Sequence, residues 1–268
     1  MRVVAGDRIV TNDGPALEGA AIAIGDDGRI AWLGARDALP AAYGAPTDHA
    51  PLVTPGLVDA HTHLAWAGSR HVEYAMRMAG EDYVAIAKAG GGIVSTHRAV
   101  ESASEDELVA LLEARLRRMA RLGVTSVEVK SGYGLTRDLE MKQLRAIARV
   151  GARRDLPRVV PTVLALHALP PGVTDRAEYT HSACDLVRDA ARLGLARFVD
   201  AYVDEHAFDV AAAREVGLVA KDAGLGVRLH VGQFSDVGGA ELAAELGARS
   251  ADHLEHLSES GARALAET

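Results

Sequence analysis

The sequence has 268 residues, of which 49% are hydrophobic and 25% are charged, and its formal net charge is -8. These proportions are typical of a globular protein with enough apolar residues for a large core. The acidic balance and the lack of a long basic cluster argue against a nucleic-acid partner. Cys184 is the only cysteine, which excludes an intrachain disulfide and indicates a reducing, cytoplasmic location. The sequence shows neither a signal peptide nor a membrane span.

The first part of the chain has the pattern of short β-strands separated by turns. Gly25, Asp26, Asp27 and Gly28 lie between two runs of alternating hydrophobicity, which predicts a β-hairpin. We therefore expect a small β module over residues 1–53 and a second domain over residues 54–268.

From residue 55 onward, predicted strands and helices alternate. Ser104 and Glu107 form a predicted capping box ahead of a leucine-rich helical stripe that ends at Gly123, and VTSVEVK follows as a strand. The same order recurs to the end and gives six βα units. Such alternation predicts a parallel sheet with right-handed crossovers, either a closed barrel or an open doubly wound sheet.

Polar residues at the strand ends distinguish these two folds. In chain order the ends carry His61 and His63, Lys130 with Tyr133, His167, Asp204 with Glu205 and His206, His230, and Asp252 with His253. In an open sheet only the strands beside the switch point carry site residues, whereas in a barrel all strand ends surround one site. The α/β fold favoured is a TIM-like (β/α)8 barrel, of which this sequence supplies about six units.

Histidines at two of these strand ends predict a metal site. His61 and His63 stand at positions i and i+2, so both side chains point to one face of the strand. With His230 they form a three-imidazole set of the kind that binds Zn²⁺ or a similar transition metal. His253 is a further ligand, a general base near the bound water, or a histidine hydrogen-bonded to its neighbour Asp252.

Three loop features complete the set of candidates. Tyr133 lies in KSGYG, where two glycines allow a sharp turn. The Tyr133 hydroxyl then either points at the carboxyl ends of the strands, or the Tyr133 ring covers the barrel rim. Arg70 follows His63 by seven residues and can pair with a substrate carboxylate. The glycine run at residues 89–92 lacks the lysine of a phosphate loop and predicts a mobile or tightly turned loop.

Several motifs together resemble one enzyme family. They are, in order, HTHLAWAGSR, AGGGIVST, EVKSGYG, HALPP, LHVGQ with GGAELA, and SADHLEHL. The sequence is similar to the imidazolonepropionases, amidohydrolase-superfamily enzymes of histidine degradation that convert 4-imidazolone-5-propanoate to N-formimidoyl-L-glutamate. The resemblance implies a distorted β/α barrel of the metal-dependent hydrolase type with a small β-sandwich.

The resemblance also implies roles for single residues. The family's metal ligands, for one Zn or Fe ion, match three residues of this chain: His61, His63 and His230. Its substrate contacts match three more: Arg70, Tyr133 and His167. Arg70 and Tyr133 would hold the propionate, and His167 would hydrogen-bond the ring carbonyl region. His253 matches a histidine proposed to assist proton transfer. Gln233 stands where many members have glutamate, so it can hydrogen-bond substrate but cannot act as a base.

One departure and two alternatives follow. The family's last metal ligand, an aspartate after strand eight, has no counterpart in these 268 residues. The resemblance therefore implies a truncated chain that is a poor catalyst and that aggregates or pairs its open strand edges as a homodimer. The alternatives are another amidohydrolase-superfamily deaminase, which would not need Arg70 to meet a carboxylate, and an inactive truncated barrel that acts as a binding module.

Overall fold

The structure is a computed structural model that describes residues 1–81 and 91–268. The chain divides into two compact units, Met1–Leu57 and Val58–Thr268. The first unit contains strands and short 3-10 turns, whereas the second alternates strands and helices. Within the described ranges, no helix has the length and apolar character needed to cross a membrane.

The first unit is built on a four-stranded sheet. Its strands are β1 (Arg2–Ile9), β2 (Leu17–Ile24), β3 (Ile30–Ala35) and β4 (Asp48–Val53), in the order β3-β2-β1-β4. The predicted hairpin is confirmed, because β2 and β3 pair antiparallel and the Gly28 nitrogen donates to the Gly25 carbonyl at 2.9 Å. Gly28 has φ of 77°, a conformation that glycine adopts without steric cost.

Three large apolar side chains cover one face of this sheet. Trp32, Leu39 and Tyr43 pack against a small buried cluster that includes Val3 and Ala21. The described residues of this unit thus form one four-stranded sheet with an apolar side-chain cover.

The second sheet has six strands in the order β10-β9-β8-β7-β6-β5. They are β5 (Leu57–Asp59), β6 (Val124–Lys130), β7 (Arg158–Leu166), β8 (Phe198–Val203), β9 (Gly226–Val231) and β10 (Ser250–His253). The pairs from β6 to β10 are parallel, and their order in the sheet is their order in the chain. This arrangement confirms the predicted βα repeat.

The helices between the strands cover the outer face of this sheet. Within the described residues they are α1 (His71–Met78), α2 (Ile93–Ser102), α3 (Glu105–Arg121), α4 (Arg137–Gly151), α5 (Arg176–Arg192), α6 (Val210–Asp222), α7 (Gly239–Leu246) and α8 (Glu259–Ala266). The predicted capping box at the start of α3 is confirmed. The Ser104 hydroxyl accepts from the Glu107 nitrogen at 3.2 Å, and the Glu107 carboxylate accepts from the Ser104 nitrogen at 2.7 Å.

The two faces of the parallel sheet differ in chemistry. On β6, Val127 and Val129 belong to the main apolar core, to which the helices contribute Leu116 of α3 and Ile147 of α4. Successive strand residues point to opposite faces, so Lys130 of β6 faces inward, where it is also buried. The inner face therefore carries buried charge, and the histidines lie at the carboxyl ends of its strands.

Candidate active site

A cavity of about 1090 Å³ lies where the strands of the second unit end. Six histidines line it: His61, His63, His167, His206, His230 and His253. Four arginines line it as well: Arg70, Arg77, Arg98 and Arg176. Among the residues that the structure describes, no aspartate or glutamate lines this cavity. A chain with a net charge of -8 thus has a cavity of positive character, which favours an anionic ligand.

The structure brings the predicted metal ligands to one place. Nitrogen atoms of His61, His230 and His253 all lie within 4.8 Å of one another. His63 lies outside this three-residue group but contacts it, because its Nε2 is 3.3 Å from Nε2 of His230. His253, the predicted further ligand or base, thus lies beside two of the predicted ligands, His61 and His230.

Asp200 of β8 fixes the ring of His230. Its Oδ1 accepts from Nδ1 of His230 at 2.9 Å and from the His230 backbone nitrogen at 3.2 Å. Burial alone would raise the pKa of Asp200, but His230 and the Lys130 ammonium outweigh burial and hold this pKa well below its usual range. The ionised carboxylate accepts the Nδ1 proton of His230, which leaves Nε2 as the ring nitrogen available to a metal ion.

Asp252 of β10 holds His61 in the same way. Its Oδ2 lies 2.9 Å from Nδ1 of His61. The alternative that His253 is hydrogen-bonded to its neighbour Asp252 is wrong, because Asp252 pairs with His61 and Nδ1 of His253 lies 3.3 Å from Glu255. His253 itself has φ of 81°, a left-handed conformation that is uncommon for residues other than glycine and that turns the chain at this strand end.

The donor atoms fit a transition metal ion. Burial, together with the neighbouring histidines, keeps the pKa of His63 well below its ordinary value, so this imidazole is neutral. Its Nδ1 is buried without a hydrogen-bond partner among the described residues. Two imidazole nitrogens that bind one Zn²⁺ at about 2.0–2.1 Å in tetrahedral geometry are separated by roughly 3.4 Å. The 3.3 Å separation of the His63 and His230 Nε2 atoms matches that value.

Helix α4 holds the loop that carries Tyr133 to the cavity. Glu140 Oε2 accepts from the Gly132 nitrogen at 2.6 Å, and Oε1 accepts from the Leu135 nitrogen at 2.7 Å. The amide oxygen of Gln143 accepts from the Gly134 nitrogen at 2.7 Å. Two buried side chains of α4, which follows the loop in the sequence, therefore fix the loop. The motif KSGYG alone did not predict these two partners.

His167 lies at the end of β7, beside the other predicted site residues. Its Nδ1 donates to the Gly132 carbonyl at 2.6 Å, and its ring is 5.2 Å from the ring of Tyr133 and 5.3 Å from that of His63. Burial lowers the pKa of His167 to about 4, so the imidazole is neutral at pH 7. Its Nε2 is consequently a hydrogen-bond acceptor.

Arg70 lines the cavity immediately before α1, and Glu73 anchors it. The Nε of Arg70 donates to Glu73 Oε2 at 2.8 Å, and its Nη2 contacts the same oxygen. Glu73 was not among the residues predicted from the sequence, although an arginine and a glutamate at i, i+3 at a helix start are a recognisable signal for such a pair.

Of three remaining predicted residues, two line the cavity and one does not. Gln233 and His206 line the cavity. Asp204 instead accepts hydrogen bonds from two residues of the loop after β9 and ties this loop to the end of β8. In the glycine run at 89–92, residues 89 and 90 lie outside the described residues, and Gly92, with φ of 81°, precedes α2 and lines the cavity.

Comparison with known sequences connects this site to one family. The chain is 49% identical to the imidazolonepropionase of Cupriavidus taiwanensis over 247 residues, which cover 90% of this chain and 59% of that protein. The chain is thus similar to an imidazolonepropionase over nine tenths of its own length. It is 47% identical to the imidazolonepropionase of Anaeromyxobacter sp. strain K over 264 residues, 96% of this chain and 62% of that protein. The chain thus spans about three fifths of the length of these imidazolonepropionases, and no protein-family model matches it.

Solved structures share the fold. Ochratoxinase of A. niger superposes with a TM-score of 0.64 and 19% identity, covering 99% of this chain and 62% of that one. An adenosine deaminase from Xanthomonas campestris with bound zinc gives a TM-score of 0.59 at 17% identity and covers 99% and 60% of the two chains. The fold class predicted from the strand ends, an α/β protein of the TIM-like barrel type with about six βα units, is confirmed.

Proposed function

We propose that this chain provides the metal and substrate site of an imidazolonepropionase, which cleaves the ring C-N bond of 4-imidazolone-5-propanoate. The observation that carries the proposal is the convergence of imidazole nitrogens within 4.8 Å inside a cavity lined by four arginines. The imidazole cluster and the four arginines together fit the hydrolysis of a small anionic substrate. The name of the related enzymes supports the choice of the imidazolone.

His61, His63 and His230 would hold one ion, with His253 beside it. The zinc bound by the adenosine deaminase of similar fold supports Zn, and Fe is the other candidate. When bound, the ion would supply a Lewis acid that makes a nucleophilic water available near neutral pH.

The chain's own residues would bind and orient the substrate. Arg70, whose guanidinium is fixed by Glu73, would pair with the propionate, and the Tyr133 hydroxyl would donate to it. The resemblance implied that His167 contacts the ring carbonyl region. Because Nδ1 of His167 is already bonded to a backbone carbonyl, its Nε2 can only accept, so we assign it to a ring N-H instead.

A proton must move from the attacking water to the departing ring nitrogen. Water oxygen forms a bond to the ring carbonyl carbon, the C-N bond breaks, and the nitrogen gains one proton. His253 would take the proton from the water and return it to the nitrogen, which is the role of a general base that becomes a general acid. Gln233 would only hydrogen-bond substrate, since an amide does not accept a proton at neutral pH.

The test compares substrates and matched histidine variants. The purified chain, loaded with zinc or iron, is assayed for hydrolysis of the imidazolone and for deamination of guanine and cytosine. Of these reactions we expect only hydrolysis of the imidazolone, at the low rate of a poor catalyst, and loss of both bound metal and this activity in His230→Asn. His181→Asn is the control, because His181 is exposed on α5, away from the cavity.

Two results would contradict the proposal. Deamination of a nucleobase without hydrolysis of the imidazolone would assign the site to the deaminase alternative. A folded chain that binds no metal at pH 7.5 would remove the ion from the site, and would favour the binding-module alternative.

A further inference from the structure

Lys130, at the end of β6, is fully buried beneath the histidines. Its Nζ lies 2.9 Å from Glu128 Oε1, 2.7 Å from Asp200 Oδ2 and 3.7 Å from Asp252 Oδ2. One ammonium therefore neutralises carboxylates of three strands: β6, β8 and β10. No step of the proposed reaction uses this lysine.

Two of these carboxylates are the ones that hold metal-site histidines. Asp200 uses Oδ2 for Lys130 and Oδ1 for Nδ1 of His230. Asp252 directs its Oδ2 both to Lys130 and to Nδ1 of His61. The ammonium is thus the common partner of two aspartate-histidine pairs. In each pair the aspartate contacts Nδ1 of the histidine, so Nε2 is the ring nitrogen that remains for the cavity.

These pairs connect opposite edges of the sheet. β10 is one edge strand, and His61 follows β5, the strand at the other edge. No backbone pairing between β5 and β10 appears in the strand order, so side chains make the connection within the described residues. Arg228 of β9 adds to it by donating to the Ala60 carbonyl at 2.7 Å.

We infer that Lys130 is a positioning residue for the metal site, which fixes Asp200 and Asp252 so that His230 and His61 carry their protons on Nδ1 and present Nε2 to the ion. This inference rests on the metal site of the proposed function. Without the ammonium, the buried carboxylates of Glu128 and Asp200 lose the cation that contacts both of them, and leaving buried charges uncompensated is costly. Arg228 would remain 4.0 Å from Glu128 and 3.8 Å from Asp252, but it has no ion pair with Asp200 among the described residues. The aspartates would rotate or lose their hold on the imidazoles, and the two rings would populate both tautomers.

The experiment measures the tautomers directly in the metal-free chain. Nitrogen chemical shifts of ¹⁵N-labelled histidine distinguish a proton on Nδ1 from one on Nε2. We expect His61 and His230 to be Nδ1-H tautomers in the wild type and mixtures in Lys130→Met. Zinc titration should show an affinity about 10- to 100-fold lower in that variant, as is typical when the partner that orients a ligand is lost.

Matched variants separate positioning from general damage to the fold. Asp200→Asn should alter the tautomer of His230 alone, Asp252→Asn that of His61 alone, and Lys130→Met both. Lys221→Met is the control, because within the described ranges Lys221 donates only to the Leu246 carbonyl, at the end of α7. If Lys130→Met does not fold, the double variant Glu128→Gln/Lys130→Met preserves the net charge of the cluster and is measured in its place.

The results distinguish this inference from the proposed function. A folded Lys130 variant with wild-type tautomers and a zinc affinity within twofold of the wild type would overturn the inference. Absence of zinc binding by the wild type would instead contradict the proposed function, and the tautomer measurement would still decide whether Lys130 positions the two rings.

Discussion

Glu140 provides a stability prediction whose size can be worked out from the structure. This residue of α4 is only 2% exposed, and its two carboxylate oxygens accept from the nitrogens of Gly132 and Leu135. Burial raises its pKa from the ordinary value of 4.5 to about 6, despite these hydrogen bonds. The loop that it holds carries Tyr133 to the cavity. Titration of Glu140 should therefore be visible both in stability and in the loop.

The sign and the magnitude follow from the two pKa values. Between about pH 4.5 and 6 the unfolded chain releases this proton while the folded chain retains it, so the free energy of unfolding falls as the pH rises. The stabilisation is fully present below pH 4.5 and is lost above pH 6. At about 1.36 kcal/mol per pKa unit, the loss amounts to about 2 kcal/mol.

The assay is urea unfolding of the wild type and of Glu140→Gln across pH 4 to 8. Glutamine does not titrate, so the wild-type free energy of unfolding minus that of the variant should decrease by about 2 kcal/mol from the acidic to the alkaline end. Altered hydrogen bonds in the variant add an offset that does not depend on pH. Glu178→Gln, at an exposed position of α5, is the matched control for the glutamate-to-glutamine change itself.

A difference that is constant with pH would refute the argument, because Glu140 would then have the same pKa in both states. A difference that increases with pH would mean that the two backbone donors dominate over burial and stabilise the ionised carboxylate. The stability of the loop itself can be followed through the Tyr133 ring resonances in the same samples.

Four further predictions test other parts of the chain. Arg70→Ala should raise KM for the imidazolone far more than Arg70→Lys, by the equivalent of roughly 2 to 3 kcal/mol, since a charge-assisted pair is lost; unchanged steady-state kinetics would remove Arg70 from the site. Gly134→Ala should destabilise the fold by at least about 2 kcal/mol in urea, because a Cβ there would overlap the Glu140 backbone nitrogen. Ser104→Ala should cost about 1 kcal/mol by loss of the α3 cap, and an unchanged melting curve would contradict this. The ring of His167 should show no NMR titration between pH 5.5 and 8, given a pKa of about 4.

The sequence predicted most of the architecture because its signals are local. The strand pattern VTSVEVK gave β6 with the boundaries that the structure has, and Ser104 with Glu107 gave the start of α3. Parallel strands end at the same side of a sheet, so residues after different strands could be placed together without knowledge of any distance. This reasoning brought His61, His63 and His230 to one place.

The partners of these histidines could not be predicted in the same way. Asp252 meets His61 only because curvature of the sheet brings the ends of β5 and β10 together, and no local pattern encodes that curvature. A weaker signal was available. Glu128, Asp200 and Arg228 are each a charged residue between two apolar residues of a strand, which is the expected mark of a polar layer inside a barrel.

The two faces of the sheet have different tasks, and this difference determines which changes affect folding and which affect the site. The outer face buries aliphatic side chains against the helices, and such burial supplies most of the stability of a domain. The inner face buries Lys130 with its carboxylates, and buried ion pairs contribute little net stability when desolvation is counted. What the inner layer does contribute is orientation, because Asp200 and Asp252 each hold one imidazole through Nδ1. Variants that trim the outer core should therefore lose fold and site together, whereas charge-balanced changes of the inner layer should separate the two, with the order of the histidines lost first.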